Sequence, residues 1–295
     1  MSQLFRLLGI SKQGFHQGLD RELKRRDEQL QLLSIMRDIR QDHPKLSCRQ
    51  IYQMLRPTYM GRDQFEKFCH SWGFKVPQNK RFYRTTDSFG VNRFPNLLLE
   101  TDAITGINQI WVSDITYYQL SDEVFYITLI MDLYSRKIVG WNVSDTLRTE
   151  ETTIKALARA IKDRSIPRAS NLIIHSDGGG QYYSKEFKKL TNHYGMRNSM
   201  CASVYENPQA ERINGTIKND YLIPYSPKCF SELAKMLEKT IFLYNHQRPH
   251  HALDKYPPAE FEYRTLQGLI MKTWIINKKK TTFKTDKIQI TVTSN

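Results

Sequence analysis

The chain has 295 residues, 40% of them hydrophobic, and a formal net charge of +14. That is length for about two domains and enough apolar material for a sizeable core, while no run approaches the roughly 20 apolar residues of a membrane span. The basic excess, with a sequence pI near 9.5, sets the chain apart from an ordinary metabolic enzyme and favours polyanionic partners, because phosphate contacts release condensed counterions.

Charge alone names no function, since ribosomal proteins, RNA enzymes and anionic-membrane binders share this signature. The first nine residues, MSQLFRLLG, lack the small-residue cleavage pattern of a secretory signal, so the expected location is cytoplasmic. Cys48, Cys69, Cys201 and Cys229 are scattered and form no CxxC pair. Disulfide frameworks and zinc sites need clustered partners, so four reduced structural thiols are expected.

The N-terminal stretch through about Asn79 reads as helical and basic. Leu4 to Phe15 carries an apolar pattern broken by Gly9 and Gly14. Arg21 to Arg40 predicts a helix with Leu30, Leu32, Leu33, Ile35, Met36 and Ile39 on one stripe, ended by Pro44. Ser47 is an N-cap for a helix to Arg56 with Ile51, Met54 and Leu55 on one face, and Phe65 to Trp72 predicts another, closed by Gly73. Short helices, glycine-bearing turns and exposed arginines fit a helix-turn-helix DNA-binding region over 1–78, with a plain helical bundle as the alternative.

A linker over 79–104 is basic at Lys80, Arg81 and Arg84 and contains Pro95. Beyond it the pattern turns to β. Ile110 to Tyr118, Val124 to Leu133 and Lys137 to Val143 predict three neighbouring strands, Thr149 to Arg164 a helix, and Asn171 to Ile174 a short buried strand. Phe230 to Asn245 predicts a further amphipathic helix. Three strands, then a helix, a strand and further helices predict a mixed α/β sheet. The tail from Arg264 has seven basic residues against one acid, Asp286. Its alternation at Trp274 to Ile276 and Lys287 to Val292 suggests a small β-hairpin.

Three carboxylates stand out. Asp114 lies mid-strand between Ile110, Val112 and Ile115, where a charge is costly unless solvated, paired or bound to a cation. Asp177 follows a short apolar strand and precedes Gly178, Gly179 and Gly180, at the strand end where α/β sheets commonly bind ligands. Glu211 falls in the first turns of a helix that Asn207 would cap and Pro208 would open. Together they could bind two divalent cations through hard oxygen ligands, an arrangement that stabilises the attacking and leaving oxygens of an in-line phosphoryl displacement. Lys218, seven residues after Glu211, lies two turns along the same face and could reach a DNA phosphate.

The strings W-V-S-D-I-T-Y, H-S-D-G-G-G-Q-Y and N-P-Q-A-E-R-I-N-G-T-I-K-N-D-Y-L resemble the integrase-type core of bacterial insertion-sequence transposases, in particular their second-reading-frame (OrfB-type) product. The similarity continues through Arg248-Pro-His-His-Ala-Leu253 and Pro258-Ala-Glu-Phe261, and more weakly through Leu7 to Phe15 and Ser47 to Arg56. It implies an RNase H-like core over 105–225 with a helical extension over 226–263. It also implies a DDE triad of Asp114, Asp177 and Glu211 holding two Mg²⁺ or Mn²⁺ ions, with Lys218 and Arg212 as DNA-binding residues.

The resemblance further implies attack by water or a DNA 3′-hydroxyl on a phosphodiester, without a covalent protein–DNA intermediate. Cleavage and strand transfer at element ends would follow, by an oligomer on DNA (terminal repeats and target), in the nucleoid. In such families the second-frame product often works fused to the upstream-frame product, and this chain starts where the second frame usually starts. Thirty-three residues lie between Asp177 and Glu211, two fewer than is usual in that family, which a surface-loop deletion accommodates.

Two other readings compete: a non-catalytic DNA-binding or regulatory relative, and an RNase H-like nuclease that does not join strands. The three carboxylates speak against the first, and the basic helices and tail against the second. His175 is expected to pack or hydrogen-bond, His250 and His251 to cap a turn, and Trp111 and Trp141 to lie in the core or on a strand face. Lys278 to Lys280 offer either a solvated face or a further DNA contact.

Overall fold

A computed structural model describes residues 9, 11–77, 94–201 and 207–276. The chain divides into two compact units, 1–78 and 79–295. In the first, Ser11 caps a 31-residue helix, α1 (Lys12–Asp42), by accepting from the Gly14 amide at 2.9 Å. The helix runs through Gly14 and Gly18, so the break expected at Gly14 does not occur; a helical glycine costs only about 1 kcal/mol. Of the expected apolar stripe, Leu32, Leu33 and Met36 are buried, whereas Leu30 and Ile35 are exposed.

Helix α2 (Cys48–Leu55) opens on a full capping box between Ser47 and Gln50. Helix α3 (Arg62–Ser71) ends at Gly73, whose φ of +75° suits only glycine without strain. Leu33, Met36, Ile51, Phe65 and Cys69 meet in the core of this unit. All four cysteines are free, although Cys48 and Cys69 hydrogen-bond to each other.

The second unit is built on the expected mixed α/β sheet. Its strands are β2 (Ile110–Leu120), β3 (Glu123–Asp132), β4 (Ile138–Ser144), β5 (Ile173–Ser176) and β6 (Arg197–Met200), in the order β4-β3-β2-β5-β6. The first three form an antiparallel meander, and β5 and β6 add in parallel beyond β2. Helix α4 (Lys155–Asp163), entered through a π-helical turn, and α5 (Lys185–His193) cover the face bearing Trp111, Ile130 and Ile174. Helices α6 (Pro208–Thr216) and α7 (Phe230–His246) cover the face bearing Ile110, Val112 and Leu129.

Gly140 lets α4 approach β4 closely, since a Cβ there would lie 2.4 Å from the Ala156 carbonyl oxygen. Helix α8 (Pro258–Leu266) brings Glu262 into a buried group with Arg164, Lys137 and Ser135. Two short strands, β1 (Ala103–Ile104) and β7 (Trp274–Ile275), pair antiparallel. Trp274 therefore pairs with the segment leading into the core, while 287–292, the other half of the expected tail hairpin, lies outside the described residues. Of the expected linker, 79–93 lies outside them too. Leu97 is buried, and its amide donates to Ser199 Oγ at 2.9 Å.

Candidate active site

Strand alternation places Asp114 on the same sheet face as Ile110 and Val112, opposite Leu129 of β3. Its Oδ1 accepts from the Ile115 amide at 2.8 Å and its Oδ2 from Asn214 Nδ2 at 2.9 Å. Parallel pairing sets Val112 beside His175. Continuing that register by two residues brings Asp177, immediately after β5, alongside Asp114. Asp177 Oδ1 accepts from the Gly179 amide at 3.1 Å, and a Cβ on Gly179 would stand 3.1 Å from that same oxygen. A glycine here lets the backbone close on the carboxylate.

Glu211 arrives on α6. Asn207 occupies the N-cap position, but its side chain does not cap the helix; Nδ2 instead donates to the Ser113 carbonyl at 3.1 Å. The cap role expected of that side chain is therefore replaced by a tether to β2. Asn207, Glu211 and Asn214 recur at helical spacing on one face, and the two asparagines tie that face to β2 at Ser113 and at Asp114. Glu211 itself is exposed at the rim.

Burial, reinforced by the charge of Asp177 and more weakly by that of Glu211, pushes the Asp114 carboxyl up to about 7 against the opposing hydrogen bonds from Asn214 and Ile115. Burial also raises Asp177, against the Gly179 amide, and raises Glu211. Beneath the pair, Tyr182 donates or accepts at 2.9 Å with Ser113 Oγ, and burial with both aspartates raises its hydroxyl well above the usual range. Tyr182 stays protonated.

None of the ion pairs among the described residues involves Asp114, Asp177 or Glu211. The donor set fits a hard divalent cation: carboxylate oxygens, mutually repelling, with no ion pair to a protein cation among the described residues. Among the described residues, however, no three His, Cys, Asp or Glu side chains stand close enough to enclose an ion. The aspartates face each other across β2 and β5, and Glu211 is the most open of the three.

Lys218 is the second residue of a π-helical segment, Ile217–Leu222, that continues α6. Its Nζ lies 4.2 Å from the ring centroid of Tyr117, three residues along β2 from Asp114. Arg212 is exposed beside Glu211, and its field reaches Arg136 and His250. His175 is fully buried with Nδ1 2.9 Å from Ser199 Oγ, the hydrogen-bonding role expected of it. His250 starts a 3-10 turn through its backbone, with no side-chain cap. Trp111 lies in the core, and Trp141 carries the Arg159 guanidinium at 4.3 Å. Lys278 to Lys280 lie outside the described residues.

Asn214 was missed in the sequence, and Asn207 was read only as a cap, not as a tether to β2. The only available signal was the spacing of Asn214, three residues after Glu211, on the helix face that already carried Lys218.

Residues 105–205 match the integrase core domain, and 196–258 match a second model of the same description. The chain is 31% identical over 270 residues to the insertion element IS600 uncharacterized 31 kDa protein of Shigella sonnei, covering 88% of this chain and 97% of that one. It is 28% identical over 203 residues to the transposase for insertion sequence element IS904 of Lactococcus lactis, covering 66% and 78%. With the transposase InsF for insertion sequence IS3A of Escherichia coli it shares 30% identity over 178 residues, covering 58% and 59%.

Proposed function

This chain belongs to the insertion-sequence transposases with an integrase core, and we propose that Asp114, Asp177 and Glu211 are the metal-binding catalytic carboxylates of its DNA cleavage and strand-transfer reaction. The observation that carries this reading is that Asp114, on β2, and Asp177, just after the parallel β5, stand side by side with no ion pair to a cation among the described residues, under the helix that bears Glu211. Two Mg²⁺ or Mn²⁺ ions bound there would stabilise charge on both the attacking and the leaving oxygen of an in-line displacement.

The chain's own side chains supply the rest. Asn214 orients the Asp114 carboxylate, leaving its second oxygen lone pairs directed at the site. Gly179 fixes Asp177. Lys218, held over Tyr117, and Arg212, beside Glu211, contact the DNA backbone on either side of the reacting phosphodiester. Neither carboxylate needs to act as acid or base, because their task is to hold positive charge where the pentacoordinate phosphorus develops negative charge.

In this reading, 1–78 is a helix-turn-helix-like DNA-binding region and 79–104 a linker. The catalytic core is 105–225, 226–263 is its helical extension, and the basic tail 264–295 is a further DNA contact. The working species is an oligomer on the terminal repeats and target DNA, joined or fused to the upstream-frame product.

The test is strand joining by purified protein, alone and fused to its upstream frame, on labelled element ends with Mg²⁺ or Mn²⁺, beside Asp177→Asn. Metal-dependent joined products that vanish in the variant are expected. Cleavage without joining would point to a nuclease, and DNA binding without chemistry from either form would leave a non-catalytic relative.

A further inference from the structure

Below the carboxylates, on the same face of the sheet, three arginines and a histidine converge around Tyr244. Arg136 sits in the turn between β3 and β4 with a φ of +61° and is 8% exposed. Its guanidinium stacks 5.2 Å from the Trp274 ring centroid, and its Nη1 is buried with no hydrogen-bond partner. His250 meets Tyr244 edge-on at 6.4 Å, and its Nδ1 is likewise buried and unpartnered. Arg248 bonds Asp220 Oδ2 at 2.9 Å and the Tyr221 hydroxyl at 3.4 Å. Arg212 completes the group from α6, next to Glu211. Arg136, Arg248 and Arg212 all act electrostatically on His250 in the same direction.

The acids facing this cluster among the described residues do not balance it. Asp220 is committed to Arg248. Asp132 acts on Arg136, but its oxygens are taken by the amides of Asn108, Tyr134 and Ser135 and by Ser135 Oγ. A buried guanidinium with an unsatisfied N–H is costly, and two such unpartnered nitrogens in a basic cluster would be satisfied by an oxyanion. Planar guanidinium donors suit phosphate oxygens above other anions.

We propose that Arg136, Arg248 and His250, with Arg212 at the rim, form a phosphate subsite that holds one backbone phosphodiester of the bound DNA. This rests on the reading of the chain as a DNA-acting transposase. The location supports it. Arg212 is covalently adjacent to Glu211, and the β3–β4 turn begins at Asp132, three pairing positions from the Asp114–Leu129 pair. That is about 10 Å along the strand, so a strand entering the carboxylate site would pass over the cluster. His250 is neutral here and can donate through Nδ1–H while Arg136 supplies the charge.

The test uses the full chain in EDTA, so that chemistry plays no part. Affinity for a duplex oligonucleotide is measured between 50 and 200 mM KCl for wild type, Arg136→Met and His250→Gln. Melting is followed in inorganic phosphate against chloride at matched ionic strength. Arg136→Met should lower the salt slope by about one contact, so that its affinity deficit shrinks about three- to fourfold across that range. Phosphate should raise the melting temperature of the wild type more than that of either variant.

Stabilisation by phosphate with an unchanged DNA salt slope would mean a free-phosphate pocket and overturn the DNA assignment. No phosphate effect and no change in slope would overturn the subsite altogether. Should Arg136→Met fail to fold, His250→Gln decides: loss of the phosphate effect together with weaker DNA binding decides for the proposal, and wild-type DNA affinity in that variant decides against. Wild-type DNA binding with variants indistinguishable from it sinks the subsite while leaving the transposase reading intact; no binding by the wild type removes both.

Discussion

Replacing Asp114 by Asn should stabilise the metal-free protein. Asparagine keeps the size and the acceptor for Asn214 Nδ2, and it removes a charge that burial and Asp177 oppose. The folded-state value of about 7 against an ordinary 3.8 is about three units, which at 1.36 kcal/mol each corresponds to about 4 kcal/mol. Asp114 keeps part of its surface open to solvent, so screening reduces the expected gain to about 2–3 kcal/mol. With its single acceptor oxygen kept for Asn214, the new side-chain nitrogen faces the Ile115 amide that now donates to Oδ1, and this lost bond subtracts about 1 kcal/mol more.

The direction with pH follows from linkage. Asp114 holds its proton more tightly folded than unfolded, so wild-type stability is not penalised below about pH 4. It falls as pH rises towards 7 and is lower by a constant amount above that. Urea unfolding in EDTA at pH 4 and pH 8 reads this directly: the variant should match wild type at the first and exceed it at the second. Mn²⁺ should then stabilise wild type, by about 2.7 kcal/mol at a hundredfold excess over its dissociation constant, and leave the variant unmoved. A variant no more stable than wild type at pH 8, or a difference independent of pH, would refute the idea that this carboxylate is held against an electrostatic cost.

Asn214→Ala removes the donor that holds Asp114 in its charged form, a bond to a charged group contributing about 1.5–3 kcal/mol. The Asp114 titration, followed by carboxyl carbon-13 NMR without metal, should move above its present value of about 7, and strand joining should fall at least tenfold; a downward or absent shift counts against the positioning role. Gly140→Ala forces a Cβ to within 2.4 Å of the Ala156 carbonyl and should cost about 1–3 kcal/mol, the usual range for overpacking, so an unchanged urea midpoint would contradict the close approach of α4. Glu262 is raised by burial, yet Arg164, Lys137 and Ser135 hold it below the usual carboxylate range. Glu262→Gln should cost about 3–5 kcal/mol near neutral pH, as for other broken buried pairs. Because the folded value is depressed, that contribution is present above the unfolded value and is lost as pH falls through the folded one, so the two proteins should converge in acid.

Much of the catalytic unit was legible in the sequence because its strands are short, apolar and β-branched. Ile110 to Leu120 and Glu123 to Asp132 run long enough to read as strands without a partner, and Pro208 after Asn207 marks a helix start unaided. Periodicity also erred in particular places. Leu30 and Ile35 belong to the apolar stripe expected of α1 but stay exposed: they sit in the same half of the helix as buried Leu32, Leu33 and Met36, yet at about 100° per residue they project outside that buried arc. Gly14 looked like a break and is helical, since the Ser11 cap and the turns that follow outweigh one glycine. Trp274 alternates like a hairpin strand, yet its partner is Ala103–Ile104, some 170 residues earlier in the chain. No local pattern could name that segment.

The sequence alone determined which carboxylates to consider, because a charged residue within an apolar strand, another at a strand end before glycines and a third in the first turns of a helix are each visible locally. Their adjacency was decided by tertiary structure. Asp114 meets Asp177 only because β5 adds parallel to β2 with Val112 beside His175. Glu211 comes to the rim above them because Asn207 and Asn214 fasten α6 to that strand. The Asp114 pKa near 7 and the unpartnered nitrogens of Arg136 and His250 likewise exist only in the folded chain. Burial and charge proximity are properties of space, and residues 63 and 97 positions apart along the chain share them only once the sheet has formed.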